Sequence, residues 1–272
     1  MPDSAPDAPT APDRSRFWPW LVALVAALVV AGLVAWRPWS PAPSPDAGTP
    51  PTPAGTTSAP TTAGATAQPA PGSSAPRAFD ATTAADLFLT DAELARAVPD
   101  AAGLSLADAE GARWGLPEGS VVQPASCTPA VTVVEQEPEV FLRRLATSDV
   151  VVVLQTVAVL PDAGAAGDAF DALVGTLGEC AQFQQVTPGV DGGSWTAEPP
   201  TTDRGAVPTT AHRQVLTAEG ATSPEVEVTA LAGNALVTTT ASAVDPAGDP
   251  GDPAVLAEVA ASAAQRALDS LG

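Results

Sequence analysis

The 272 residues include no Lys and no Tyr, only one His and one Asn, and 30 Pro, and the formal net charge is −20 at pH 7. Residues 1–77 hold as many Arg as acids, so residues 78–272 carry the whole negative excess. Such a surface repels phosphate backbones, which excludes nucleic acid as an expected partner.

Residues 17–36 form an uncharged stretch, FWPWLVALVAALVVAGLVAW. At 1.5 Å per residue it spans about 30 Å, the thickness of the hydrocarbon core of a bilayer. Trp18 and Trp20 precede this core and Trp36 and Trp39 follow it, as in an aromatic belt. The alternative is a cleaved signal peptide, which normally has a shorter apolar core and a small-residue cleavage site. The pattern favours an uncleaved signal anchor, a transmembrane helix over 17–36.

The segments on either side of this helix differ in composition. Residues 1–16 form a short tail with two Arg close to the helix, which favours a cytoplasmic N-terminus. Residues 37–77 are rich in Pro, Thr and Ser and lack apolar periodicity, so they predict a disordered linker. We therefore expect a single-pass protein of the cell membrane whose residues 78–272 form an extracellular domain.

The first half of this domain predicts two helices and a strand. Thr90 and Glu93 have the spacing of a capping box, which opens a short helix ending at Val98. The β-branched run over 149–160 predicts a buried strand. Apolar residues three and four apart over 162–181 predict an amphipathic helix.

The second half predicts antiparallel strands at 193–197 and 211–218, then a hairpin of 225–231 with 235–242. Gly233 and Asn234 form its two-residue turn. The residues predicted to be buried by this register are Val226, Val228, Ala230, Val237, Thr239 and Ala241; those predicted to face solvent are Glu225, Glu227 and Thr229.

A last helix is predicted to begin at Asp252 and Pro253, an N-cap followed by proline. The order of elements predicts an α+β domain, a twisted antiparallel sheet packed by helices. The transmembrane helix and the Pro-rich linker precede it.

Cys127 and Cys180 are the two cysteines of the chain. Two thiols in an extracytoplasmic domain usually pair, and a disulfide closing this loop would contribute about 4 kcal/mol. Two free, buried thiols are the alternative. A metal site is disfavoured because two distant Cys and the single His212 cannot supply four soft ligands. We expect no metal and no cofactor.

Catalytic chemistry has little support in the sequence. His212 lies in a strand-like run and is interpreted as an ordinary surface or strand residue, so no catalytic residue is predicted. Asp245, Asp249 and Asp252 could hold Ca²⁺, but their spacing matches no EF-hand and favours solvated turns. A carboxylate-dependent hydrolase stays open as the alternative, because acids are plentiful. Convergent acids of perturbed pKa in a pocket would favour it, whereas a cleft without them would favour a sensor.

Taken in order, these features resemble the PknH-type extracellular sensor domain of actinobacteria, and the Arg-only, Ala- and Pro-rich composition suits such a source. The features are Leu87-Phe-Leu before the first helix, Cys127, the strand 150–160, the helix ending at Cys180, Ser194-Trp-Thr, the Ala-Gly-Asn hairpin and the last helix.

The resemblance implies a twisted antiparallel sheet with helices and a cleft for an unidentified ligand. Domains of that family usually carry a second disulfide, whose place falls near Glu225 and Ser242, cross-strand neighbours in the predicted register. No kinase precedes the predicted membrane helix, so we expect any signal to pass through a partner. The sequence thus predicts a non-catalytic ligand-sensing or protein-interaction module of the cell envelope. Its expected partners are the membrane and a small ligand or envelope protein, and its ligand-binding residues are not predicted.

Overall fold

The computed structural model describes residues 78–98, 101, 104–108, 112–190 and 192–272. They belong to one unit, Pro69–Gly272. The predicted tail, membrane helix and linker lie outside the described residues. Within the described ranges, no helix has the length and apolar character needed to cross a bilayer.

The described residues form strands and α-helices in mixed order. The strands are β1 Ser105–Asp108, β2 Val121–Gln123, β3 Val140–Thr147, β4 Val151–Val159, β5 Gln182–Val186, β6 Gly193–Ala197, β7 Thr201–Asp203, β8 Thr209–Ala218, β9 Ala221–Ala232 and β10 Ala235–Ala243. The helices are α1 Asp91–Ala97, α2 Pro129–Thr132, α3 Ala163–Glu179 and α4 Pro253–Ser270.

All ten strands pair antiparallel in one sheet, in the order β1-β3-β4-β10-β9-β8-β6-β5-β2, with β7 also paired to β8. In the β9–β10 hairpin, Ser242 lies opposite Glu225 and Ala241 opposite Val226, which confirms the predicted register. Beyond β10 lies β4, and beyond β9 lies β8, so the predicted hairpin forms the centre of the sheet. The predicted α+β class is confirmed.

One face of the sheet packs against α1 and α4. Val226 and Val228 of β9 are fully buried there, with Leu256 of α4. The predicted capping box forms, because the Thr90 side chain accepts from the backbone N–H of Glu93 and the Glu93 carboxylate accepts from that of Thr90. Arg266 of α4 also donates to the Glu93 carboxylate, at 3.1 Å, so the cap of α1 is tied to the last helix.

The opposite face packs against α3, which begins at its N-cap Asp162. Phe170 of α3 is fully buried against Leu236 of β10 and Ala158 of β4. The predicted disulfide is present and joins Cys127, just before α2, to Cys180 at the end of α3, with the two Cα atoms 5.8 Å apart. The sheet is therefore covered by helices on both faces.

This second layer overturns one prediction. Glu225, Glu227 and Thr229 were expected to face solvent, but they are 7%, 9% and 1% exposed. The alternation of β9 is real, and its polar face lies under α3 and the chain around α2. Alternation reports the pleat of a strand, and it carries no information on what covers the polar side.

Candidate functional site

A cavity of about 190 Å³ lies on the polar face of the central strands. Two other pockets are larger. One of about 420 Å³ lies between α4 and the strands β7 and β8, and one of about 350 Å³ lies over β5 and β6. The smaller cavity is the better candidate because buried ionisable groups converge on it, the usual mark of a functional site. Its lining residues are Ala130, Val131, Val133, Leu154, Thr156, Trp195, Gln214, Glu225, Glu227, Thr238 and Thr240.

The register of the sheet brings these side chains together. Glu225 and Glu227 occupy alternate positions of β9 and therefore project to the same face. Glu225 lies between Ser242 of β10 and Gln214 of β8. Glu227 lies in the neighbouring row, between Thr240 of β10 and His212 of β8.

Glu225 has a partner for each of its oxygens. The Ser242 hydroxyl donates to Oε1 at 2.9 Å, and Nε2 of Gln214 donates to Oε2 at 3.0 Å. Burial raises the pKa of Glu225, the hydrogen bond from Ser242 opposes this rise, and the neighbouring Glu227 carboxyl adds to it. The Glu225 carboxyl is therefore held in place by the sheet itself.

Glu227 is less well satisfied. The Thr240 hydroxyl donates to its Oε2 at 3.2 Å, and no other donor reaches this carboxyl from the described residues. Burial raises the pKa of Glu227 to about 7, and the Thr240 hydrogen bond only partly opposes the rise. Near neutral pH this carboxyl therefore exchanges between its protonated and ionised forms.

His212 lies opposite Glu227 in the β8–β9 ladder and is 4% exposed. It is a strand residue, as expected, but the surface alternative is wrong. Nε2 lies 3.3 Å from Oε1 of Gln214 and acts as the donor, because an amide oxygen only accepts. Nδ1 has no partner within the described ranges. Burial lowers the pKa of His212, so its ring adds no positive charge to balance the glutamates at neutral pH.

The roof of the cavity, residues 130–133, is held from several sides. The Cys127–Cys180 bond fixes the chain just before it. Trp114 Nε1 donates to the Thr132 carbonyl at 3.3 Å. Val133 has φ +66°, a left-handed conformation that is unusual for a β-branched residue. Such outliers persist only where the surrounding structure enforces them.

The three aspartates considered for Ca²⁺ act in turns. Each side chain of Asp245, Asp249 and Asp252 accepts a hydrogen bond from the backbone N–H two residues further along. In the part of the chain that the structure describes, no group of three or more His, Cys, Asp or Glu could hold a metal ion.

The family resemblance implies a cleft, but the sequence does not predict that Glu225 and Glu227 line it. The available signal was the pair of acids at alternate positions of a strand in the middle of the sheet. Acids at such positions either face solvent or line a pocket, and the alternation by itself favours the solvent-facing arrangement.

One antiparallel sheet, helices on both faces and a small cavity with a polar floor define an α+β domain. Comparison with known families identifies it: the chain belongs to the family described as the PknH-like extracellular domain, which matches residues 79–266. The family resemblance predicted from the sequence is confirmed.

One solved structure agrees on the fold. The extracellular domain of PknH from Mycobacterium tuberculosis aligns with a TM-score of 0.52 at 15% identity, covering 70% of this chain and 97% of that one. An uncharacterized protein from Mycobacterium smegmatis aligns with a TM-score of 0.37 at 15% identity, covering 61% of this chain and 86% of that one, which is too loose to carry an argument. Comparison with curated proteins finds no match.

Proposed function

We propose that the domain is the ligand-sensing module of a membrane-anchored protein of the cell envelope and that it has no catalytic activity. The observation that carries this proposal is the cavity on the polar face of the central strands. A hydrogen-bonding cavity kept open beneath a cross-linked roof suits the capture of a small molecule. Membership in a family of extracellular domains supports a position outside the membrane.

The anchor is part of the same proposal. The uncharged stretch 17–36 spans the bilayer, residues 1–16 lie in the cytoplasm, and residues 37–77 link the helix to the domain. Alkaline phosphatase fused to the C-terminus should be active, because that enzyme needs an oxidising compartment. The same fusion lacking 17–36 should be inactive. Equal activity of both fusions would contradict the predicted topology.

Ligand sensing is tested by thermal unfolding of the full chain in fractionated small-molecule extracts of cell envelopes. A ligand at one hundred times its Kd stabilises the folded state by about 2.7 kcal/mol. Thr156→Phe should abolish this shift by filling the cavity. The matched substitution Thr222→Phe, at an exposed position of β9, should keep it. No shift in any fraction, or equal shifts in both variants, would contradict the proposal.

A hydrolase is the second candidate, and one observation favours it. Glu225 and Glu227 are convergent acids in a cavity, and burial raises the pKa of both. Alternate residues of a strand project to the same face, so both carboxyl groups line the same side of the cavity. Against catalysis, both oxygens of Glu225 are already hydrogen-bonded within the sheet, so this carboxyl is not free to act on a substrate.

The two candidates differ in turnover. Under the sensing proposal, chromogenic glycosides and esters are hydrolysed no faster by the protein than by buffer. If the protein hydrolyses a substrate faster than buffer does, and both Glu225→Gln and Glu227→Gln lose this activity, the hydrolase is established instead.

A further inference from the structure

The cavity has an unbalanced set of charges. Its ionisable lining residues are Glu225 and Glu227, and no Arg or His is among the residues that line it. The roof contributes apolar Ala130 and Val131, and α3 contributes no lining residue. Arg143 of β3 lies in the same row of the sheet as Thr156, on the exposed margin outside the cavity. Among the described residues that line the cavity, none therefore places a positive charge beside the two carboxyl groups.

The Glu227 carboxyl has acceptor positions that no described residue fills. Its side chain is nine-tenths buried and lines the cavity, yet Thr240 is its one donor among the described residues. An ionised carboxylate offers about four acceptor positions, so most of those on Glu227 are vacant. A buried carboxylate without a counter-charge is strongly disfavoured, and a bound cation removes that penalty.

We propose that the cavity binds a small organic cation of the alkylammonium class, with its N–H groups donating to Glu227 and its hydrocarbon part against Trp195 and Val131. The inference rests on the proposed ligand-sensing function and names the ligand class. The indole of Trp195 and the side chain of Val131 both line the cavity and offer apolar surface to an alkyl chain. The excess of acids over Arg in residues 78–272 gives a field that concentrates cations at the domain surface.

The volume limits the size of this cation. At about 30 Å³ for each water-sized group, 190 Å³ accommodates roughly six non-hydrogen atoms. Butylamine, with five, is a suitable probe and stays protonated well above neutral pH. Its neutral and anionic counterparts, 1-butanol and butyrate, have nearly the same shape and differ in charge.

A proton competes with the cation for the same carboxyl. The groups facing Glu227 are Glu225 on its own strand, His212 on β8 and Thr240 on β10, and burial lowers the pKa of the His212 ring. With the pKa of Glu227 at about 7, the ionised form is about one-tenth populated at pH 6 and nine-tenths at pH 8. Because the apparent affinity scales with the competent fraction, binding of butylamine should strengthen about tenfold from pH 6 to pH 8.

Saturation-transfer NMR on the detergent-solubilised full chain tests this with the three probes at pH 6, 7 and 8. Butylamine should bind with that pH dependence, and butyrate should not bind. Glu227→Gln should remove both the binding of butylamine and its pH dependence. The matched control Glu118→Gln, an exposed acid outside the cavity, should change neither.

Two results would overturn the inference. If 1-butanol binds as well as butylamine at pH 8, the cavity takes neutral ligands, and ligand sensing stands without the cation. If none of the three probes binds, the cation proposal is wrong. The ligand-sensing proposal is then still tested separately, by the envelope-extract experiment with Thr156→Phe.

Discussion

Glu227→Gln should change how the stability of the domain depends on pH. Glutamine keeps the volume of the side chain and an oxygen for the Thr240 hydroxyl, but it does not titrate. In the wild type, the pKa of Glu227 is about 7 in the folded state against 4.5 as the unperturbed value. Below pH 4.5 the carboxyl is protonated in both states, so it carries no penalty there.

Between these two pKa values the unfolded chain ionises while the folded chain keeps its proton. Unfolding then releases a proton, so the free energy of unfolding falls as pH rises, and the loss is complete above pH 7. A difference of about 2.5 pKa units corresponds to about 3 kcal/mol, an upper figure for the penalty at pH 8. Because burial also raises the pKa of Glu225, a smaller slope of the same sign should persist in the variant.

The measurement is urea unfolding of residues 72–272 at pH 5, 6, 7 and 8, followed by tryptophan fluorescence. From pH 5 to pH 8 the wild type should lose about 2.5 kcal/mol more than Glu227→Gln, because roughly 1 kcal/mol of the penalty is already present at pH 5. Comparing slopes cancels the constant cost of the new amide. Glu118→Gln should retain the wild-type slope. Parallel profiles for the wild type and Glu227→Gln would refute the assignment of a buried, titrating carboxyl.

Three further outcomes are expected. Reduction of the Cys127–Cys180 bond should lower the free energy of unfolding by about 4 kcal/mol, and alkylation of the unreduced, denatured chain that labels either thiol would contradict the pairing. The double variant Glu225→Cys with Ser242→Cys should form a second disulfide under oxidising conditions, because directly opposed antiparallel residues are about 4.5–5.5 Å apart at Cα. The short loop limits the gain in the free energy of unfolding to about 3 kcal/mol. Two thiols that can still be alkylated would contradict this prediction. Chains beginning at Gly72 and at residue 46 should melt at the same temperature, and a lower value for the shorter chain would show that the linker contributes to the core.

The strands and helices with strong local patterns were predictable. The run 149–160 became β4, and the hairpin register follows from one turn with Gly233 and Asn234 at its centre. The capping box at Thr90 and the N-cap at Asp252 marked where α1 and α4 begin. In each case a few neighbouring residues fix the geometry.

The missed strands lack such local signals. In β3, VFLRRLAT, two adjacent Arg interrupt any alternation, and β5, QFQQV, is mostly polar. Both are strands because neighbours in the sheet supply their hydrogen-bond partners, and those neighbours are remote in sequence. The cavity was missed for the same reason, since its walls come from β4, β6, β8, β9 and β10 and its roof from α2.

The central ladder of the sheet also bears on how quickly the domain folds. Val159 pairs with Ala235 and Val151 with Ala243, so β4 and β10 meet only after the long chain between them has been closed into a loop. Contacts so remote in sequence slow folding, because the entropy of loop closure is lost before the pairing compensates for it. Until then the β-branched run of β4 has an unpaired edge, and an edge of that kind can join with another copy of the chain. The helices α3 and α4 are built from local contacts and should form earlier. The yield of native protein on refolding should therefore rise as the protein concentration is lowered, because dilute chains pair β4 with β10 before they pair with one another.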